Sequence, residues 1–288
     1  MIYLKRNIST SLEDKMIKLY TAGYKLDDIE KITGISKSVL SFYFNANDSK
    51  ISLDDLMSFR ANGQSILVIA DTHIGSEYEN LKYIDLAYDM GVAKNVSSCL
   101  HLGDIIQGKF NQSDKTLEYQ MEVLEKIYPE PTEFDTNLLM GNHDYAVFEY
   151  YPYYKEILEN KKGLNPLGYK RVYFSWNDYL FAMDHKVKQI SDTFIYDNCA
   201  AYFIGHGHEL KIKAEDKLKA PTCSDDIMNK QSGSYPAFMI VNMDADYLSA
   251  DVYRFKDNKA VLSKECYYEK ILTKKNKVKW LNEWYINC

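Results

Sequence analysis

Cysteine is sparse and scattered in this chain of 288 residues. The five that occur, Cys99, Cys199, Cys223, Cys266 and Cys288, are odd in number and form no C-x-x-C pair. That argues against a disulfide framework and a thiolate zinc site, and for a reducing compartment. Long apolar runs are missing too. No window approaches the roughly 20 residues needed to cross a bilayer. The opening Met1-Ile-Tyr-Leu-Lys-Arg6 lacks the apolar core of a secretory leader. The expected location is cytoplasmic. There is no excess of positive charge: 35 Lys and Arg against 41 Asp and Glu leave a formal charge of −6, so contact with a polyanion would have to be local. Neither an internal repeat nor a low-complexity tract is present.

What remains is the composition of a soluble globular protein, 46% hydrophobic and 26% charged. The length suffices for one large core, or for one large and one small. Residues 1–48 read as a separate helical module. Ser11 is a candidate N-cap, and Leu12, Met16, Leu19 and Tyr20 recur at helical spacing before Gly23. Leu26, Ile29 and Ile32 form a second stripe closed by Gly34. Ser36 then opens a third helix with Val39, Leu40 and Tyr43. This order is similar to the helix-turn-helix of resolvase-like and phage regulatory proteins, which implies DNA as a partner. The seven Lys/Arg and six Asp/Glu of residues 1–48 are close to balance, however. A helical hairpin for packing or self-association fits them as well.

Residues 49–64 read as a connector with one short helix at Leu53–Phe59, and residues 65–288 as the main domain. From Ser65 the pattern alternates strand and helix. Leu81, Ile84 and Tyr88 mark one helix; Leu117, Met121, Leu124 and Ile127 mark another, capped by Ser113 and ended by Pro129. This predicts an α/β core around a largely buried sheet. Beyond about residue 165 the signal becomes β-rich, with a hairpin turning at Trp176-Asn-Asp178 and strands at Ala237–Asn242 and Tyr247–Phe255. Residues 209–235 read as a long polar loop.

Five apolar runs each end in possible metal ligands. Ile66–Ala70 leads to Asp71 and His73, and Cys99–Gly103 to Asp104. Leu138–Gly141 leads to Asn142, His143 and Asp144. Leu180–Met183 leads to Asp184 and His185, and Tyr202–Gly205 to His206 and His208. In open α/β sheets, sites gather outside the carboxyl ends of strands, so these residues should converge on one rim. Five of the six histidines fall in this set. The sixth, His101, reads as a hydrogen-bonded core residue, and Asp184 as a support or turn residue rather than a ligand. Carboxylate and amide oxygen mixed with imidazole nitrogen suits Mn, Fe or Zn better than Ca. The ligands are too many for one ion, which points to two divalent ions sharing a carboxylate.

The blocks Asp71-Thr-His73, Gly103-Asp104, Gly141-Asn-His-Asp144, His185 and Gly205-His-Gly-His208 resemble those of the calcineurin-like metallophosphoesterase superfamily, in its order, over about residues 65–245. Gly233-Ser234 ahead of Pro236-Ala-Phe238 looks like the family's segment after the last ligands. The resemblance implies a two-sheet β-sandwich flanked by helices, with the small all-α module added at the N-terminus. It implies that Asp71, His73 and His208 hold one metal, that Asn142, His185 and His206 hold the other, and that Asp104 bridges them. A metal-bridging hydroxide would attack phosphorus in line. His143, set by Asp144, would stabilise or protonate the leaving oxygen.

Protein Ser/Thr phosphatases typically show Gly-Asp-x-Val-Asp-Arg-Gly and Gly-Asn-His-Glu. This chain has Gly103-Asp-Ile-Ile-Gln-Gly108 and Gly-Asn-His-Asp144, without the phosphate-gripping arginine. Its motifs look closer to phosphodiesterases and DNA-repair exonucleases, so a phosphodiester substrate is expected, with manganese the favoured metal. The alternatives are a phosphomonoesterase for nucleotides or small phosphate esters, and a DNA-binding regulatory or scaffolding protein. The run Lys274–Lys279 with Trp280 and Trp284 could meet phosphates and stack a base, although a solvated basic tail is the commoner role of such a run.

Overall fold

The computed structural model describes residues 10–35, 40, 57–109, 115–169, 171–186, 199–208, 210–213, 217–224 and 235–278. The N-terminal pair is α1 (Thr10–Thr21) and α2 (Leu26–Thr33). It closes around Met16, Ile29 and Leu40, all fully buried. The expected third helix falls, Leu40 apart, outside the described residues.

In the main domain the described elements run β1 (Met57–Ala61), β2 (Ser65–Ile69), α3 (Leu81–Ala93), β3 (Cys99–His101), α4 (Leu117–Lys126) and β4 (Thr136–Leu138). Next come α5 (Asn142–Phe148), α6 (Pro152–Asn160), β5 (Leu164–Pro166), β6 (Val172–Trp176), β7 (Tyr179–Asp184) and β8 (Tyr202–Ile204). The last are β9 (Lys211–Lys213), β10 (Lys217–Lys219), β11 (Ala237–Asp244), β12 (Tyr247–Lys256) and β13 (Lys259–Ile271). They form two sheets, of order β1-β6-β7-β8-β10-β9 and β13-β12-β11-β2-β3-β4-β5.

The period of two along β2 explains the layers. Ile66 and Val68 enter a core shared with Phe174, Phe181, Met183 and Phe203 of the six-stranded sheet. Leu67 and Ile69 point the other way, into a core with Ile84, Tyr88, Met121, Leu124, Val147 and Leu158 of the helices. A strand covered on both faces reads as a continuous apolar run rather than an alternating one. The expected two-sheet sandwich flanked by helices is therefore present.

Three local expectations are corrected. Within the expected connector, Met57–Ala61 is an edge strand rather than part of a helix, pairing parallel with β6. Its apolar Met57, Phe59 and Ala61 alternate with Ser58 and Arg60, and Phe59 stacks on Phe174 at 4.7 Å. The cap of α4 is Thr116, whose Oγ1 accepts the Tyr119 N–H at 3.2 Å; Ser113 lies outside the described residues. Within 209–235, β9 and β10 pair antiparallel. The expected hairpin is present as β6–β7. Asn177 and Asp178 both have positive φ, +48° and +67°, as a tight two-residue turn between antiparallel strands requires.

At the C-terminal end Lys277 pairs with Asp246 at 3.1 Å. Lys279, Trp280 and Trp284 fall outside the described residues, as does Gly233-Ser234. No helix among the described residues is long and apolar enough to cross a membrane.

Candidate metal centre

β2, β3 and β4 are parallel neighbours, so their C-terminal ends deliver Asp71, Asp104 and Asn142 to the same edge. β7 and β8 are parallel in the other sheet and deliver His185, His206 and His208. Beyond β2 and β3 the chains stay paired: the Asp71 N–H donates to the Gly103 carbonyl at 2.9 Å and the His73 N–H to the Asp104 carbonyl at 3.0 Å. Asp71, His73, Asp104, His206 and His208 all have positive φ, between +45° and +63°. Non-glycine residues rarely adopt that region, and clusters of such strain mark functional sites. Here it turns each side chain sharply off its strand end.

The donor atoms fall into overlapping groups, each within 4.8 Å: Asp71, His73 and His208; Asp104, His185 and His206; and His73, Asp104 and His143. His73 Nε2 and His208 Nε2 are 3.1 Å apart, and the latter is 3.5 Å from Asp71 Oδ1. Across the centre, His185 Nε2 lies 3.0 Å from Asp104 Oδ2 and 3.3 Å from the side-chain oxygen of Asn142. Gly141 allows this closeness: a Cβ there would stand 2.1 Å from Asp104 Oδ1. His143 meets His73 edge-on, with ring centroids 4.8 Å apart.

Burial and opposite charge compete throughout. Burial opposes ionisation of Asp71, but His208 and then His185 hold its carboxyl below the usual range. Asp104 is held well below it, against burial, by His185. His185 rises to about 9 because Asp104 outweighs its own burial. Burial takes His73 down to about 4, despite Asp104. It lifts Asp144 to about 7, helped by the charge of Asp104.

Two sequence expectations are refined. Asp144 is fully buried, and its oxygens accept the N–H groups of Gly141 at 2.8 Å and Ile106 at 3.1 Å. It therefore fixes the backbone that starts α5. The His143 ring is instead held through Nδ1, which donates to the Gln107 carbonyl at 2.8 Å. Asp184 takes a supporting position: its Oδ2 accepts from Arg171 Nη2 at 2.6 Å and Nε at 3.2 Å.

His101 is the buried core histidine that was expected, and it also braces the centre. Its Nδ1 accepts the Gly103 N–H at 3.2 Å, and its Nε2 meets Thr72 Oγ1 at 3.2 Å, which in turn donates to the Ile105 carbonyl at 2.9 Å. Arg171 and Gln107 carry no motif of their own, and Thr72 sits between two candidate ligands without being one. Position beside His73 could have flagged Thr72, and position in the loop after Asp104 could have flagged Gln107; Arg171 lies 13 residues from Asp184 and had no sequence signal.

The calcineurin-like phosphoesterase family model matches residues 64–262, more than half of the chain. No curated protein matches the sequence. Similar solved structures include vacuolar protein sorting 29 from Cryptosporidium parvum, with 18% identity and a TM-score of 0.45, covering 73% of this chain and 98% of that one. A predicted phosphoesterase from Streptococcus pneumoniae TIGR4 has 14% identity and a TM-score of 0.43, covering 72% and 97%. Yfce, a phosphoesterase from E. coli, has 13% identity and a TM-score of 0.45, covering 73% and 100%. On the match over residues 64–262, the chain belongs to the calcineurin-like phosphoesterase family.

Proposed function

We propose that the chain is a metal-dependent phosphodiesterase with a dinuclear centre. The observation that carries this reading is the sharing of Asp104: its carboxylate lies with His185 and His206 on one side and with His73 and His143 on the other. The donor set fits divalent transition metals, since imidazole nitrogens and carboxylate oxygens converge within 4.8 Å of one another in each group. Asp71, His73 and His208 would hold one ion, and Asn142, His185 and His206 the other, with Asp104 common to both. Bound ions would supply Lewis acidity toward the phosphoryl oxygens and ease deprotonation of water. Manganese is the metal we favour, with iron and zinc as the other candidates.

The protein's own residues orient and move protons. His143 stands beside the centre with Nδ1 engaged by Gln107, so Nε2 is the nitrogen that can meet a substrate oxygen. In this position it stabilises charge on the leaving oxygen or donates a proton to it. Asp144 and Asp104 anchor the backbone of that segment, the latter by accepting the His143 N–H at 2.9 Å.

A diester is favoured over a monoester by charge. A monoester dianion carries an additional anionic oxygen, which a guanidinium commonly grips. The loop after Asp104 offers Ile105, Ile106 and Gln107 instead, and Arg171 is engaged by Asp184. The test is a panel after reconstitution with Mn²⁺, comparing a monoester, an aryl diester, cyclic nucleotides, and single- and double-stranded DNA. Faster turnover of the monoester than of every diester would reverse the assignment. Metal analysis of the same samples should find two ions per chain.

A further inference from the structure

We propose that Gln120 is a positioning residue for His143, acting through the peptide unit between Gln107 and Gly108; the proposal rests on the role given to His143 above. Gln120 lies on α4, outside the strand-end blocks of the sequence, and it is fully buried. Its Oε1 accepts the Gly108 N–H at 2.8 Å, while Nε2 donates to the Gly108 carbonyl at 3.0 Å and to the Lys115 carbonyl at 3.1 Å. One planar amide thus grips both polar groups of Gly108. The same side chain fills the space under the Asp71–Gly75 turn: a Cβ at Gly75, whose φ is +92°, would stand 2.3 Å from Gln120 Cγ.

The consequence follows from peptide geometry. The Gly108 N–H and the Gln107 carbonyl belong to one rigid plane and point in opposite directions. Gln120 holds that plane from the N–H side. From the carbonyl side it holds His143, whose Nδ1 donates to Gln107 O at 2.8 Å. The Gln107 N–H, which belongs to the preceding peptide unit, donates to the Ile74 carbonyl, also at 2.8 Å, so the chain leading into this plane is held as well. Rotating it would remove the acceptor that fixes which nitrogen His143 presents. The hydrogen bonds of Gln120 to Gly108 and Lys115 are all to backbone groups. Gln120 acts on the direction of one carbonyl.

The experiment is a double-mutant cycle on metal-loaded protein, with an aryl diester (good leaving group) and an alkyl diester (poor leaving group). Gln120→Met keeps the side-chain length and removes the hydrogen bonds to Gly108 and Lys115. It should keep normal metal content, lose about tenfold to a hundredfold on the alkyl diester, as a displaced catalytic group does, and lose less on the aryl diester. In a His143→Ala background it should cost nothing further, because coupled residues are non-additive. Gln120→Glu, which in its protonated form keeps an acceptor for the Gly108 N–H and one donor for its carbonyl, should retain most of the alkyl-diester activity and serves if the Met variant does not fold. Equal losses on the two diesters, or an undiminished loss in the His143→Ala background, would overturn the proposal. His143→Ala alone keeps the two readings apart. If that variant shows no leaving-group-dependent loss, the role of His143 fails; if it does while the Gln120 effects are additive, only the positioning role fails.

Discussion

Asp104 and His185 face one another at 3.0 Å between Oδ2 and Nε2, and the second Asp104 oxygen accepts the His143 N–H at 2.9 Å. Both oxygens of one carboxylate are thereby used at the point where the two donor groups meet. Asp104→Asn keeps the size and the acceptor for the His143 N–H but removes the charge. We expect it to be the most damaging single change for metal content, because both ions would lose a shared anionic ligand. Elemental analysis should show less bound metal than in Asp71→Asn or His206→Ala. Near-normal loading of the Asn variant would count against a bridging role.

His143→Ala should leave metal content close to normal and lower turnover by about 10²–10⁴-fold on poor leaving groups, the range for lost acid–base assistance. The loss should shrink on an activated aryl diester, which needs little protonation. Equal losses on both substrates would indicate substrate positioning instead.

Arg171 and Asp184 form a largely buried pair behind His185. Burial pushes the Asp184 carboxyl up, against the pull of Arg171. Removing only the cation strands a charge in a poorly solvated place. Arg171→Met should therefore cost about 3–5 kcal/mol and loosen the His185 end of β7. Adding Asp184→Asn should recover much of that stability in urea melts. A single variant as stable as the wild type would show that the pair is inconsequential.

His101 has a signed pH effect. Burial lowers it from 6.5 to about 3, so the folded state binds fewer protons than the unfolded one. Its contribution is fully present above about pH 6.5 and is lost as the pH falls toward 3. At about 1.4 kcal/mol per pH unit, it removes at most about 3 kcal/mol by pH 4.5. In chelator-treated protein, stability should fall more steeply between pH 6.5 and 4.5 for the wild type than for His101→Gln. Parallel curves would mean that His101 is protonated without penalty.

The sequence alone determined the strand ends and their chemistry. Apolar runs such as Ile66–Ala70 stop at Asp71 and His73, and five such stops in order are local facts of covalent sequence. The second sheet was expected from the family resemblance; a largely buried first sheet was legible in the residues themselves, because β2 lacks polar alternation where both its faces are covered. The edge strand Met57–Ala61 was not. Its short alternating pattern becomes a strand only because β6 offers it a partner and Phe174 a ring to stack on.

Tertiary structure also decided which groups brace the centre. Thr72 with His101, Arg171 with Asp184, and Gln120 with Gly108 are contacts between residues 12 to 29 positions apart. Their side chains carry no periodic signal, since a hydrogen bond depends on where two backbones pass each other. The candidate metal ligands could be read from composition at a strand end; the hydrogen bond that orients the His143 ring could not. It depends on the plane of a single peptide between two elements that the sequence keeps apart.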